Sequence, residues 1–321
     1  MRRLALLALA FLACAQQPAA STSGAPVTAA PSPCRLAVIQ GSPGQGAGPQ
    51  TPGFLTIPGA VFSPATDAGD GMYYDKPLQK WVPAGPPALS ADGLTYAYVG
   101  GDTTSSQVHL VDLRSGSDRI ISFGSFGGPW RLAGVASDAV YLMRVEYVDS
   151  PAYGRLAQGK GLWKLALNGA APTQLTSDAR GWVWFADGAV YGGQSTTDVA
   201  GGPNDVVRFD LRTMHVTTWF SHQVRSRLLA VDTTGAALVM GEAANEELWR
   251  AARPDDATQI WSGPTDAVRP DFPVAVDGSD VWMSSSSLTP SWAIFHVPPS
   301  GALQEVARFT DRPVTVAGPC A

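Results

Sequence analysis

"WVWFADGAVYGG", residues 182–193, reads as two apolar strands joined by the pair Asp187-Gly188. A pair of that kind between apolar runs is the strongest short-range signal for a tight hairpin. The figure recurs as "PALSADGLTYAYV" (87–99), "RLAGVASDAVYLM" (131–143), "LLAVDTTGAALVM" (228–240) and "FPVAVDGSDVWMS" (272–284). The turn aspartates are Asp92, Asp138, Asp187, Asp232 and Asp277, spaced by 46, 49, 45 and 45 residues.

Each hairpin is followed by a third apolar strand ("VHLVDL", "LWKLAL", "VVRFDL", "ELWRAA", "AIFHVP") and then a fourth ("DRIISF", "TQLTS", "VTTWF", "TQIWS", "QEVARF"). Four short antiparallel strands every ~45 residues predict an all-β chain built as a β-propeller. Helical stripes with caps are lacking, and 26 Pro with 34 Gly punctuate the chain. A pair of β-sandwich domains is the competing all-β reading, but it supplies no reason for a regular period.

The first copy matches the pattern P-x-x-S-x-D-G-x-x-x-A at Pro87, Ser90, Asp92, Gly93 and Ala97. It resembles the strand-turn-strand motif of TolB-like (WD40-like) propellers; the other copies keep the turn and lose most of the rest. The resemblance implies a propeller working in the cell envelope and carries over no catalytic residue.

One more period beyond Asp277 falls just past Ala321, so "VTVAG" (314–318) sits where an innermost strand belongs and lacks its hairpin partner. "RLAVI" (35–39) supplies that partner, with "GFLTIPG" and "MYYD…KWVP" expected as the outer strands. The expectation is six blades over residues 34–320, the closing blade shared between N- and C-terminal strands. Cys34 and Cys320 then flank the missing turn. In an oxidising compartment such a pair is bridged, and the bridge stands in for the absent connection.

The chain starts Met1-Arg2-Arg3, then runs apolar from Leu4 to Ala13 and meets Cys14. A basic start and a short apolar run describe an export signal, here 1–14; roughly 20 residues would be needed to span a bilayer. Phe11-Leu12-Ala13-Cys14 resembles the lipobox of bacterial lipoproteins, departing from it at Phe11 and Leu12, which implies lipid attachment at Cys14. Ala13-Cys14-Ala15 also fits ordinary signal-peptidase cleavage, which would discard the cysteine. Residues 15–33, rich in Pro, Ala and Ser, cannot bury enough surface to fold and form a flexible tether.

Without Arg2 and Arg3 the chain carries 20 basic and 27 acidic residues. No basic stripe is present, so nucleic acid is not an expected partner, and membrane contact is expected only through a lipid anchor. A monomer is expected.

The nucleophile elbow G-x-S-x-G, H-E-x-x-H, paired C-x-x-C, an EF-hand loop and a phosphate-binding G-x-G-x-x-G are all missing from the sequence. No catalytic residue, metal or cofactor is expected. Asp67, Asp70 and Asp75 fit no calcium loop and read as a solvated turn. His109, Lys164, Arg208, Arg250 and His296 share one register of the third strands and read as an outward polar position.

The second-to-third-strand connections are the long ones: 41–53, 145–160, 193–205 and 284–291. Connections held by a rigid scaffold carry binding, so a protein or small-molecule ligand is expected on that face. Trp130, Tyr147, Tyr153 and Arg155 are the expected contacts, because aromatic and arginine side chains dominate binding hot spots. The functional expectation is a non-enzymatic binding or interaction module. The alternative is a six-bladed propeller hydrolase or lactonase with a metal at the central channel, which would need three or more Asp, Glu, Asn or His side chains converging on the axis.

Overall fold

The computed structural model describes residues 33–41, 49–101, 106–123, 129–150, 154–193, 205–222, 225–242, 245–264, 268–286 and 291–321. Cys14, most of the tether, and Tyr153 lie outside the described residues, as do parts of all four long connections; of Arg155 only the backbone is described.

Among the described residues there are strands and no helices. The N-terminal strands are β1 (Cys34–Gln40), β2 (Thr51–Ile57) and β3 (Val61–Pro64), then β4 (Tyr73–Asp75) and β5 (Lys80–Val82). A three-stranded sheet follows, β6 (Thr95–Gly101), β7 (Ser106–Asp112) and β8 (Asp118–Ser122). The next sheet holds β9 (Trp130–Val135), β10 (Ala139–Ser150), β11 (Gly154–Ala166) and β12 (Thr173–Thr176). Then come β13 (Gly181–Ala186), β14 (Ala189–Gly193), β15 (Asp205–Asp210) and β16 (His215–Ser221). The last two of this type are β17 (Arg225–Val231) to β20 (Asp256–Pro264), through β18 (Ala237–Glu242) and β19 (Asn245–Arg253), and β21 (Arg269–Asp277) to β24 (Gln304–Phe309), through β22 (Asp280–Ser286) and β23 (Trp292–Val297). Strand β25 (Val314–Cys320) ends the chain.

The two ends of the chain share one sheet, in the order β25-β1-β2-β3. Val38 faces Val316, Ile39 faces Thr315 and Gln40 faces Val314, all antiparallel. Cys34 and Cys320 are disulfide-bonded with Cα atoms 5.6 Å apart, inside the range a bridge requires. The expected strand exchange and its covalent closure are both present.

Three local expectations are corrected. The outermost strand of the terminal sheet is Val61–Pro64, not "MYYD…KWVP": a tight turn (Ala60 N–H to Thr56 C=O, 2.9 Å) brings the chain straight back. The displaced segment forms β4–β5, a separate two-stranded sheet. Its Tyr74 and Trp81 pack on Ala37, Ile39 and Ala317 of the terminal sheet, and Tyr74 meets the Phe54 ring edge-on at 4.9 Å. Gly318 permits this approach, since a Cβ there would lie 2.6 Å from the Tyr74 carbonyl oxygen.

Secondly, the inner strand of the first hairpin is reduced to the bridge Leu89↔Tyr96 and the bonds Ala97 N–H to Ala88 C=O and Ser90 N–H to Thr95 C=O. Pro86 and Pro87 have no N–H to offer a ladder. Thirdly, the described parts of 145–160 are not irregular loop. β10 and β11 continue past the sheet as a two-stranded ribbon, paired from Val145↔Gly159 to Ser150↔Gly154. β9 pairs with β10 only as far as Arg144.

The core is a succession of interfaces between neighbouring sheets. Leu36 and Val38 of the terminal sheet bury against Ala275 and Ile294. Val281 and Met283 join Leu229, Leu238 and Tyr191. Val190 and Val207 meet Tyr141 and Leu162, and Val140 and Leu165 meet Ala97 and Val108. Lys80 then donates to the Leu113 carbonyl, linking β4–β5 to the three-stranded sheet.

Candidate functional site

At the end of the sheets where the first-to-second-strand turns gather lies a cavity of about 640 Å³. Its lining includes Tyr73 and Asp75 from β4, Leu89 and Gly93 from the first hairpin, Val135, Trp184 with Phe185, Val231, Val276, and Pro319 beside the disulfide. A cavity of this size with apolar walls and few polar groups is the usual form of a small-molecule site.

Turn chemistry carries the polar groups to it. Asp187 and Gly188 both have positive φ, 47° and 64°, as the tight hairpin turn foreseen from Asp-Gly requires. Asp232 is 1% exposed and accepts hydrogen bonds from the Thr234 N–H, the Thr234 hydroxyl and the Ala236 N–H. Asp277 holds Lys76 Nζ at 2.7 Å, joining β21 to the residue after β4.

Asp75 is buried, 2% exposed, not in a solvated turn as expected. It accepts the Leu78 N–H at 2.8 Å, and burial pushes its carboxyl above the usual carboxylate range. Burial first, then the nearby Asp75 and Asp277 carboxylates, push the Tyr73 phenol well above its ordinary value. The other turn aspartates serve their own hairpins. Asp92, outside the lining, accepts from the Ser90 hydroxyl and Leu94 N–H, which hold its carboxyl low. Asp138 is held low by Lys164 at 2.8 Å.

The recurrent basic register of the third strands turns out to be structural, and less exposed than expected. Lys164, Arg208, Arg250 and His296 reach back to Asp138, Asp187, Asp232 and Asp280 of their own hairpins, at 2.8, 3.8, 2.5 and 2.6 Å. His109 instead bonds Asp118 of the adjoining fourth strand at 2.8 Å. Arg250 also donates to the Pro298 and Pro299 carbonyls of the next sheet. An acid in the turn paired with a base at one register of the third strand was a readable signal; it marks a clasp on four of the five hairpins. Among the described residues no three His, Cys, Asp or Glu side chains are grouped to hold a metal ion.

Of the residues expected at the opposite face, Trp130 and Tyr147 have described side chains, and these two are placed differently. Trp130 is 6% exposed, its ring edge-on to Phe123 at 5.6 Å and Trp163 at 5.5 Å, so it packs the core between two sheets. Tyr147 is 47% exposed on the ribbon. Sequence reasoning missed Tyr73, Asp75, Lys76, Trp184 and Phe185, which lie up to 112 residues apart in the chain and share no motif.

No family model matches the chain, and no curated protein matches it in sequence. Among solved structures, TolB from Acinetobacter baumannii is similar with a TM-score of 0.50 at 14% identity, covering 88% of this chain and 63% of that one. An uncharacterized protein from Listeria monocytogenes has a TM-score of 0.46 at 9% identity, covering 85% and 79%. Pyrococcus horikoshii acylaminoacyl peptidase has 0.47 at 11%, covering 85% and 46%. This chain thus spans less than two thirds of the TolB chain it resembles. The likeness to TolB is one of fold: the chain has a TolB-like β-propeller fold.

Proposed function

We propose that the chain is an exported six-bladed β-propeller, lipid-tethered through Cys14, that binds a small ligand in the cavity at its turn face. Five four-stranded sheets and a three-stranded sheet completed by Ala88–Ser90 supply the six blades. β4–β5 fills the gap between the terminal blade and the next. Export is supported by the signal region and by the Cys34–Cys320 bridge, a bond that persists in oxidising compartments. Lipid attachment predicts that Cys14→Ser moves the protein from the membrane to the soluble envelope fraction.

One observation carries the binding reading. The cavity draws its walls from six of the seven sheets and from the first hairpin ahead of β6, and its acids are held in turns, ion pairs and backbone hydrogen bonds instead of converging on one reacting point. Such a site is preorganised to hold a ligand. The test is a thermal-shift screen of the disulfide-intact chain beside Ala91→Trp, which places bulk at an exposed residue of the lining. Ligands that raise the melting temperature of the parent should lose that effect in Ala91→Trp, whose own melting temperature stays unchanged. Ligand effects that survive Ala91→Trp and vanish on changing Tyr147 would return the site to the face of the long connections.

A further inference from the structure

We propose that the cavity selects a ligand carrying an ammonium or guanidinium group on an apolar body; the inference rests on the cavity being the binding site. Four carboxylates line the space, and two of them are already neutralised. Asp232 is paired with Arg250 at 2.5 Å and Asp277 with Lys76 at 2.7 Å. The remaining two are less fully compensated. Arg208 pairs with Asp187 only at 3.8 Å while bonding Asp210 at 2.7 Å, and the Asp187 side chain is 60% exposed; Asp75 has no ion-pair partner among the described residues.

Asp75 adds an independent observation. Its side chain is almost wholly buried, and Oδ1 takes the Leu78 N–H, while Oδ2 accepts no hydrogen bond among the described residues. Gly93 lies against Oδ2: a Cβ there would come within 2.6 Å of it. Lys80, on the same hairpin, directs its ammonium to the Leu113 carbonyl. Asp75 thus lines the cavity with one carboxylate oxygen that takes no donor from the described residues and is open to a donor from a ligand.

The rest of the lining suits the body of such a ligand. Trp184, Phe185 and Tyr73 present aromatic surface, which attracts cations as well as apolar groups. An anionic ligand would meet the unpaired Asp75 and the weakly paired Asp187, and like charges repel.

The test is calorimetric titration of the disulfide-intact chain at pH 7 and low salt with tryptamine, tryptophol and indole-3-acetate. These share an indole body and differ in charge. Tryptamine should bind at least tenfold more tightly than tryptophol, and indole-3-acetate more weakly than either. Asp187→Asn keeps a residue tolerant of positive φ and should cut tryptamine affinity about fivefold while leaving tryptophol unchanged. Equal affinities for tryptamine and tryptophol, both abolished by Ala91→Trp, would overturn the charge selection and leave the cavity reading standing. Binding of none of the three would also overturn it, and the cavity reading would then stand or fall on the Ala91→Trp screen.

Discussion

The two ends of the sheets are built on different plans. At the turn face the ties run mostly within a sheet: a base on the third strand clasps the acid of its own hairpin turn, as in Lys164–Asp138 and Arg250–Asp232. At the opposite face Arg180 ties to Asp205 within one sheet, and further buried ties run between sheets. Arg227 of β17 reaches Asp271 of β21 at 2.8 Å, and Arg269 of β21 pairs with the buried Glu246 of β19. The first arrangement shapes each hairpin end and so shapes the cavity; the second fastens one sheet to the next. Long connections mark a face as variable, yet the concave, chemically furnished space here is made by the shortest connections, because those are the ones that gather together.

The largest effect that would test this contrast comes from Arg250→Ala. It leaves Asp232 charged and 1% exposed without its cation, and losing one partner of a buried pair costs about 3–5 kcal/mol. Urea unfolding should show it, and tryptophol affinity should fall with the distorted cavity wall. A loss under about 1 kcal/mol would mean the clasps do not organise the turn face.

Replacing Cys34 and Cys320 together with Ser should come next. The bridge closes a span of 286 residues, and removing it should cost about 2–5 kcal/mol, by a mechanism that is model-dependent. Proteolysis should then release β25 before any other strand. Simultaneous cleavage throughout the chain would show that the terminal sheet is no weaker than the rest.

Acid should produce a smaller, graded loss. Asp92, Asp138 and Asp210 are held below the ordinary carboxylate range by their turn and third-strand partners. A depressed folded-state pKa contributes stability that is present above the unfolded value, about 3.9, and disappears as pH falls through the folded value. Melting temperature should therefore hold between about pH 5 and 7 and decline below about pH 4, with Asp138→Asn reducing the decline.

The smallest effect is expected from Tyr147→Ala on the exposed ribbon, within about 0.5 kcal/mol in stability, with cavity ligands unaffected. Loss of ligand binding in this variant would reverse the assignment of the two faces.

The sequence by itself determined the elements that rest on local chemistry. Asp187-Gly188 specifies its turn because only certain residues tolerate two positive φ angles, and alternation of apolar residues sets the faces of the strands. Regular spacing of such turns exposed the missing hairpin between Val314–Gly318 and Arg35–Ile39, and with it the bridge from Cys34 to Cys320. Tertiary structure decided what depends on distance across the chain. Asp75 looked like part of a solvated turn because nothing near it in sequence buries it; Gly93 and the apolar surface around β4–β5 do. Trp130 looked available because an aromatic residue beside a connection can face either way; Phe123 and Trp163 turn it inward. The cavity itself is the space left where hairpin ends from separate sheets meet, and no single segment encodes a space.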